Sequence, residues 1–164
     1  MLMSGGGPEA MFTAMDYAEN VGAEIIFMPC SLTVIIEKRD FVDQISARAT
    51  SIIANHEEAA AMVESGDYKD IKDIFEWGVV TLSAKGAWYF DNRTGVEGAV
   101  PTPYQPDHIK NTNGAGDNFT GGLIYGLHHG MTIEDAITLG HKCAMHVLGK
   151  TCARCDFDIR HLNE

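Results

Sequence analysis

Apolar residues along this chain change their period several times, and each change marks an element. Pro8 to Asn20 carries Met11, Ala14, Met15 and Ala18 at helical spacing with proline in the first turn, which predicts a helix ended by Gly22. Ala23 to Met28 is short and mostly apolar, as in a strand covered on both faces. Asp40 is placed to cap a helix running to about Ala49, with Phe41, Val42, Ile45 and Ala49 inward. Thr50 to Ala54 predicts the next strand, and Asn55-His56-Glu57-Glu58 leads from it into an alanine-rich helix. Asp67 to Trp77 has helical spacing at Ile71, Ile74 and Phe75, and Gly78 to Ser83 reads as a buried strand. Ala87 to Asp91 and about Val96 to Val100 alternate loosely, as strands do.

Pro101, Pro103 and Pro106 then impose an extended loop. Phe119 to His128 predicts a helix closed by Gly130. Its Gly121, Gly122 and Gly126 each cost about 1 kcal/mol against alanine, a loss that close approach of a neighbouring element would explain. Thr132-Ile133-Glu134-Asp135 is a capping-box pattern. It opens a last helix whose inward stripe is Ile133, Ala136, Ile137, Gly140, Cys143, Ala144, Val147 and Leu148. Residues 1–7 predict no element, and the chain closes in a polar tail at 153–164.

Composition narrows the function. The 164 residues, 45% of them hydrophobic, suffice for a folded domain with a core. Twelve basic residues against twenty-three acidic ones give a net charge of −11, which excludes the basic face of a nucleic-acid or anionic-membrane binder. An anionic substrate must then be held by backbone dipoles and a metal more than by arginine clusters. No apolar run reaches membrane-span length and the start carries no secretory pattern, so a cytoplasmic location is expected. The four cysteines fit a reduced compartment.

The stretch Asn111-Thr112-Asn113-Gly114-Ala115-Gly116-Asp117-Asn118-Phe119 carries the chemistry. It reads as a glycine turn opening into a helix, with Gly114 and Gly116 free to take positive φ. Free amides and the dipole at a helix start make a pocket for anionic oxygen. Asp117 at its mouth can take a proton from an attacking hydroxyl. The plainer alternative is a glycine turn with Asp117 as a helix cap. Similarly, Asn55 and Glu58 stand either as a cap or, at the carboxyl end of a strand in an open α/β sheet, as part of a ligand site.

Together these strings resemble the ribokinase-like (PfkB) family of carbohydrate and nucleoside kinases, whose signature is D-T-x-G-A-G-D-x-F. With Gly140-His141 downstream, the similarity is greatest to the adenosine kinases. The resemblance implies an α/β fold, the C-terminal portion of a ribokinase-like three-layer α/β/α sandwich lacking the N-terminal part and lid. Residues 1–164 would then be one N-terminally incomplete domain, prone to self-associate if a fragment. It implies ATP-dependent transfer to the 5′-hydroxyl of adenosine, with Asp117 as base and Gly114, Ala115 and Gly116 as anion hole. It places Mg2+ with Asn55 and Glu58, largely through water. Thr81, Ser83 and Gly86, in a string similar to T-x-G-x-x-G, would meet the nucleotide with Asn113 and His141. Two departures stand out: Asn111 replaces the first aspartate of the signature, and Ser83 replaces a glycine. The alternatives are a non-catalytic nucleotide-binding fragment or a kinase of another ribosyl or sugar substrate.

Other patterns carry less. Gly149-Lys150-Thr151 lacks the preceding strand and first glycine of a phosphate loop, and Phe119 stands where a dinucleotide motif needs its third glycine. Cys152 and Cys155 with His161 have metal-like spacing, but no second cysteine pair answers them. His128 and His129 end a helix, where the dipole favours cations.

Overall fold

A computed structural model describes residues 2–3, 7–64, 66, 68–104, 108–151, 153 and 158–160. Its elements are strand β1 (Leu2–Met3), helix α1 (Pro8–Asn20), β2 (Ile26–Met28), α2 (Leu32–Glu37), α3 (Arg39–Ser46), β3 (Ser51–Asn55) and α4 (His56–Glu64). β4 (Trp77–Thr81), β5 (Ala87–Asp91), β6 (Val96–Val100), α5 (Ala115–His128) and α6 (Ile133–Leu148) complete it, with 3-10 turns at Ile71–Asp73 and Ser83–Lys85. The six strands form one sheet in chain order. β1 through β4 run parallel. β5 and β6 are sheet neighbours joined by only four residues, which requires an antiparallel hairpin.

The chain divides into two compact units, residues 1–82 with 88–98, and residues 83–87 with 99–164. In the first, β2, β3 and β4 are buried along their length instead of at alternate positions. Parallel strands covered on both faces have that pattern. Met15, Phe27, Ile35, Val42, Ile45 and Ile52 are fully enclosed in its core. α1 ends as expected: Gly22 takes φ +67, its N–H meets the Glu19 carbonyl, and the Ala23 N–H reaches back to Ala18.

Several elements differ from the sequence reading. Leu2–Met3 forms a strand where none is expected, and Leu32–Glu37 forms a helix that its β-branched residues conceal. Ser31 starts that helix by accepting the Val34 N–H. Lys38, at φ −120, breaks it from α3, so Asp40 lies inside the first turn of α3 and is not its cap. The helix expected over 67–77 shrinks to the turn Ile71–Asp73. Asp73 accepts the N–H groups of Lys69 and Asp70, and Glu76 donates to the Thr50 carbonyl, which draws the chain into β4. Ile71 and Phe75 are nevertheless buried. The start of that prediction (Asp67), Pro106, Cys152, Cys155, His161 and most of the polar tail lie outside the described residues.

The second unit centres on α5 and α6. A β-carbon on Gly122 would lie 2.8 Å from Cys143 Sγ and 2.9 Å from Gly140 Cα; one on Gly126, 2.9 Å from Ala136 Cα. The two backbones therefore meet directly. Gly121 has nothing within 4 Å of such a carbon and takes no part. α6 buries Ala136, Ile137, Gly140, Cys143 and Val147 as expected, and also Leu139, His141 and Met145. It is thus enclosed on more than the single expected stripe.

Candidate active site

Within the second unit the signature stretch folds through its own side chains. Asn111 Oδ1 accepts the Asn113 N–H at 3.0 Å, and the Asn111 amide reaches the Thr151 carbonyl at 3.5 Å. The first of these bonds needs only a side-chain oxygen, so asparagine retains the acceptor that aspartate would offer. Gly114 caps α5 at φ +80. A β-carbon there would stand 2.8 Å from both Ala153 Cβ and the Ala153 carbonyl oxygen, so conformation and space both require glycine.

The Ala115 N–H donates to the Thr112 carbonyl at 3.2 Å, which engages one of the amides expected to hold an anion. Helix geometry leaves the Gly116 and Asp117 amides without intrahelical acceptors, at the positive end of the helix dipole. Gly116 is helical and has no positive φ, contrary to expectation; a β-carbon on it would meet nothing within 4 Å. Asp117 lies in the first turn of α5 with its side chain exposed. The cap is Gly114 and no side chain caps this helix, so the simpler reading of Asp117 as a cap is not what the structure contains.

The turn of residues 83–86 belongs to the same unit. Ser83 adopts φ +55, a left-handed value that costs a non-glycine residue about 1–2 kcal/mol. Gly86 is buried at φ +112, and a β-carbon there would fall 2.1 Å from the Val100 carbonyl oxygen. Thr102 Oγ1 donates to the Ala84 carbonyl at 2.7 Å. His141 is 4% exposed, with its ring 5.1 Å from that of Phe119 and hydrogen-bonded to the Val100 backbone. Its Nε2 is buried without a partner among the described residues. Burial pushes its pKa down, and the Val100 bond opposes this in part.

In the first unit, Asn55 ends β3, Thr81 ends β4, and the two are paired in register. Both stand at the carboxyl ends of parallel strands, where open α/β sheets take ligands. Asn55 Oδ1 accepts the Glu58 N–H at 2.8 Å, and Glu58 Oε2 accepts the Asn55 N–H at 3.0 Å. This is a reciprocal cap on α4. The Glu58 carboxyl is buried, which raises its pKa. No group of three or more His, Cys, Asp or Glu residues able to hold a metal occurs among the described residues. That donor set does not fit direct coordination by the protein. With Asn55 Oδ1 and Glu58 Oε2 both engaged in the cap, a hydrated cation at this strand end would be met through water.

Asn118 escaped the sequence reading. Its Nδ2 donates to the Gly114 carbonyl at 2.8 Å and to the Ala153 carbonyl at 3.1 Å. The first acceptor lies one helical turn away and is legible in sequence, whereas nothing local announces Ala153.

The pfkB family carbohydrate kinase model matches residues 2–158. A cytidine kinase of Thermococcus kodakarensis is 28% identical over 148 residues, covering 87% of this chain and 52% of that protein. An adenosine kinase of Schizosaccharomyces pombe is 43% identical over 58 residues, covering 32% and 16%. Among solved structures, an adenosine kinase from Sinorhizobium meliloti superposes with a TM-score of 0.83 at 21% identity, over 94% of this chain and 48% of that one. The chain thus spans about half the length of the two proteins that it matches along most of its own. The expected α/β fold is present as a partial ribokinase-like fold, covering about half the length of those neighbours. With nearly every residue inside the family match, the chain belongs to the pfkB family of carbohydrate kinases.

Proposed function

We propose that this chain carries the phosphoryl-transfer machinery of an ATP-dependent nucleoside kinase, with adenosine as the preferred acceptor. The observation that carries this reading is the exposed Asp117 beside the open Gly116 and Asp117 amides, at the mouth of a helix entered through a left-handed glycine. Asp117 would take the proton of the 5′-hydroxyl as its oxygen attacks the γ-phosphorus and ADP departs. The open amides would hold the growing negative charge, in place of the full Gly114-Ala115-Gly116 set. Ser83, Gly86, Asn113 and His141 are assigned to the nucleotide, His141 through the floor it shares with Phe119 and Val100. In the first unit, Asn55 and Glu58 would orient hydrated magnesium, and Thr81 would present its hydroxyl at the strand end. Magnesium bound with ATP would neutralise charge on the β- and γ-phosphates.

No helix among the described residues is long and apolar enough to cross a membrane. A cytoplasmic site of action, where ATP is abundant, accompanies this proposal.

The test uses the longest natural protein that contains this chain. Asp117→Asn should lower kcat at least about a hundredfold, while ADP affinity stays within about twofold because the amides survive. Normal turnover in the variant would remove Asp117 from the mechanism. Across adenosine, cytidine, guanosine, inosine and ribose, adenosine should give the highest kcat/KM. A different winner would keep the kinase and replace the substrate. The second reading, nucleotide binding without turnover, draws on the engaged Ala115 amide and the strained Ser83. ADP binding with no transfer to any acceptor would establish it.

A further inference from the structure

We infer that Asn118 is a positioning residue that fixes the anion-binding turn and couples it to the backbone at Ala153. This rests on the reading of that turn as a phosphate site. Three observations support it. The Gly114 carbonyl accepts twice from one residue: from the Asn118 N–H at 2.9 Å and from Asn118 Nδ2 at 2.8 Å. Fixing that carbonyl fixes the peptide plane through which the chain enters α5. The same Nδ2 donates to the Ala153 carbonyl at 3.1 Å. Finally, Ala153 lies so close over Gly114 that a β-carbon there would touch it at 2.8 Å, so Ala153 walls one side of the turn.

The chemistry selects the side chain. Two carbonyl oxygens converge on one nitrogen, and a primary amide has two hydrogens to give them. Aspartate would set a carboxylate against both oxygens. Serine or threonine has a single hydroxyl hydrogen and could serve one of them. The convergence also settles the orientation of the amide, since its oxygen in that place would face two acceptors. Asn118 thus holds the turn in the shape that its open amides need before a phosphate arrives. Asn111 acts in the same sense, tying the start of the turn to Thr151.

The test follows the Gly114, Gly116 and Asp117 amides by NMR during ADP titration, in the unsubstituted 164-residue chain and in Asn118→Ser, Asn118→Ala and Asn118→Asp. Urea unfolding is measured in parallel. Loss of the amide should weaken ADP binding about tenfold in Asn118→Ala, less in Asn118→Ser and more in Asn118→Asp. Far-UV circular dichroism should remain unchanged. ADP affinity within about twofold of wild type in Asn118→Ala, with the wild-type amides still shifting, would overturn the inference and leave the phosphate site standing. Equal weakening in all three variants that tracks their loss of urea stability would make Asn118 structural only and overturn it too. Amides that do not respond to ADP in the wild type would instead refute the phosphate-site reading, and this inference with it.

Discussion

Among single residues, His141 shows how burial turns into a pH response. Its imidazole is enclosed and its pKa is pushed down by that burial, so the folded chain keeps it neutral where an unfolded chain would protonate it. The stability this represents is complete above the ordinary histidine range, about pH 6.5, and is lost as pH falls from there toward the folded pKa. The urea midpoint should therefore decline as pH falls below about 6.5, and His141→Gln should reduce the slope of that decline. A slope that the substitution leaves unaltered would show that other groups carry the acid response. The position of His141 was legible from its motif, whereas its enclosure was not: the residues around it come from α5 and β6. Gly114 and Gly86 were legible because positive φ leaves few other choices. Ser83 takes a left-handed backbone too, with a side chain in place, and its residue type gave no sign of it.

Helix ends and helix contacts decide the element scale. The α5–α6 seam predicts opposite results for adjacent glycines. Gly122→Ala would drive a methyl group against Cys143 Sγ and Gly140 Cα and should destabilise by about 1–3 kcal/mol. Gly121→Ala has open space and should stabilise by up to about 1 kcal/mol. Thermal or urea unfolding of the two variants checks both signs. At α4 the reciprocal cap allows the structural part played by Glu58 to be tested apart from its proposed part in magnesium binding. Glu58→Gln keeps an acceptor for the Asn55 N–H, so stability should change by less than about 0.5 kcal/mol while the magnesium needed for half-maximal ATP binding rises. Glu58→Ala should impair both. An unaltered magnesium requirement in Glu58→Gln would leave the motif as a cap alone. Elements with strong local signals, α1, α5, α6 and the buried strands, were legible in sequence. The α2–α3 break and the shortened turn at 71–73 were not. Lys38 in the first and the Glu76–Thr50 bond in the second act against local helical spacing, and the latter depends on a carbonyl twenty-six residues away.

The whole molecule joins two units with different contact ranges. β2, β3 and β4 come together from separated stretches of chain through parallel crossovers. α5 and α6 are consecutive, joined by residues 129–132, and meet along the glycine seam. A backbone bond of 2.8 Å from the Lys110 N–H to the Leu148 carbonyl ties the strand of chain entering the signature to the end of α6. Closing contacts between near neighbours loses less chain entropy than pairing distant strands. The seam thus has a consequence in time as well as in space. During refolding, amides of α5 and α6 should gain protection before those of β2 to β4, as pulsed hydrogen exchange would record, and simultaneous protection would contradict it. The candidate phosphate turn would then be among the first parts of this chain to acquire its shape, ready as a template while the sheet is still assembling.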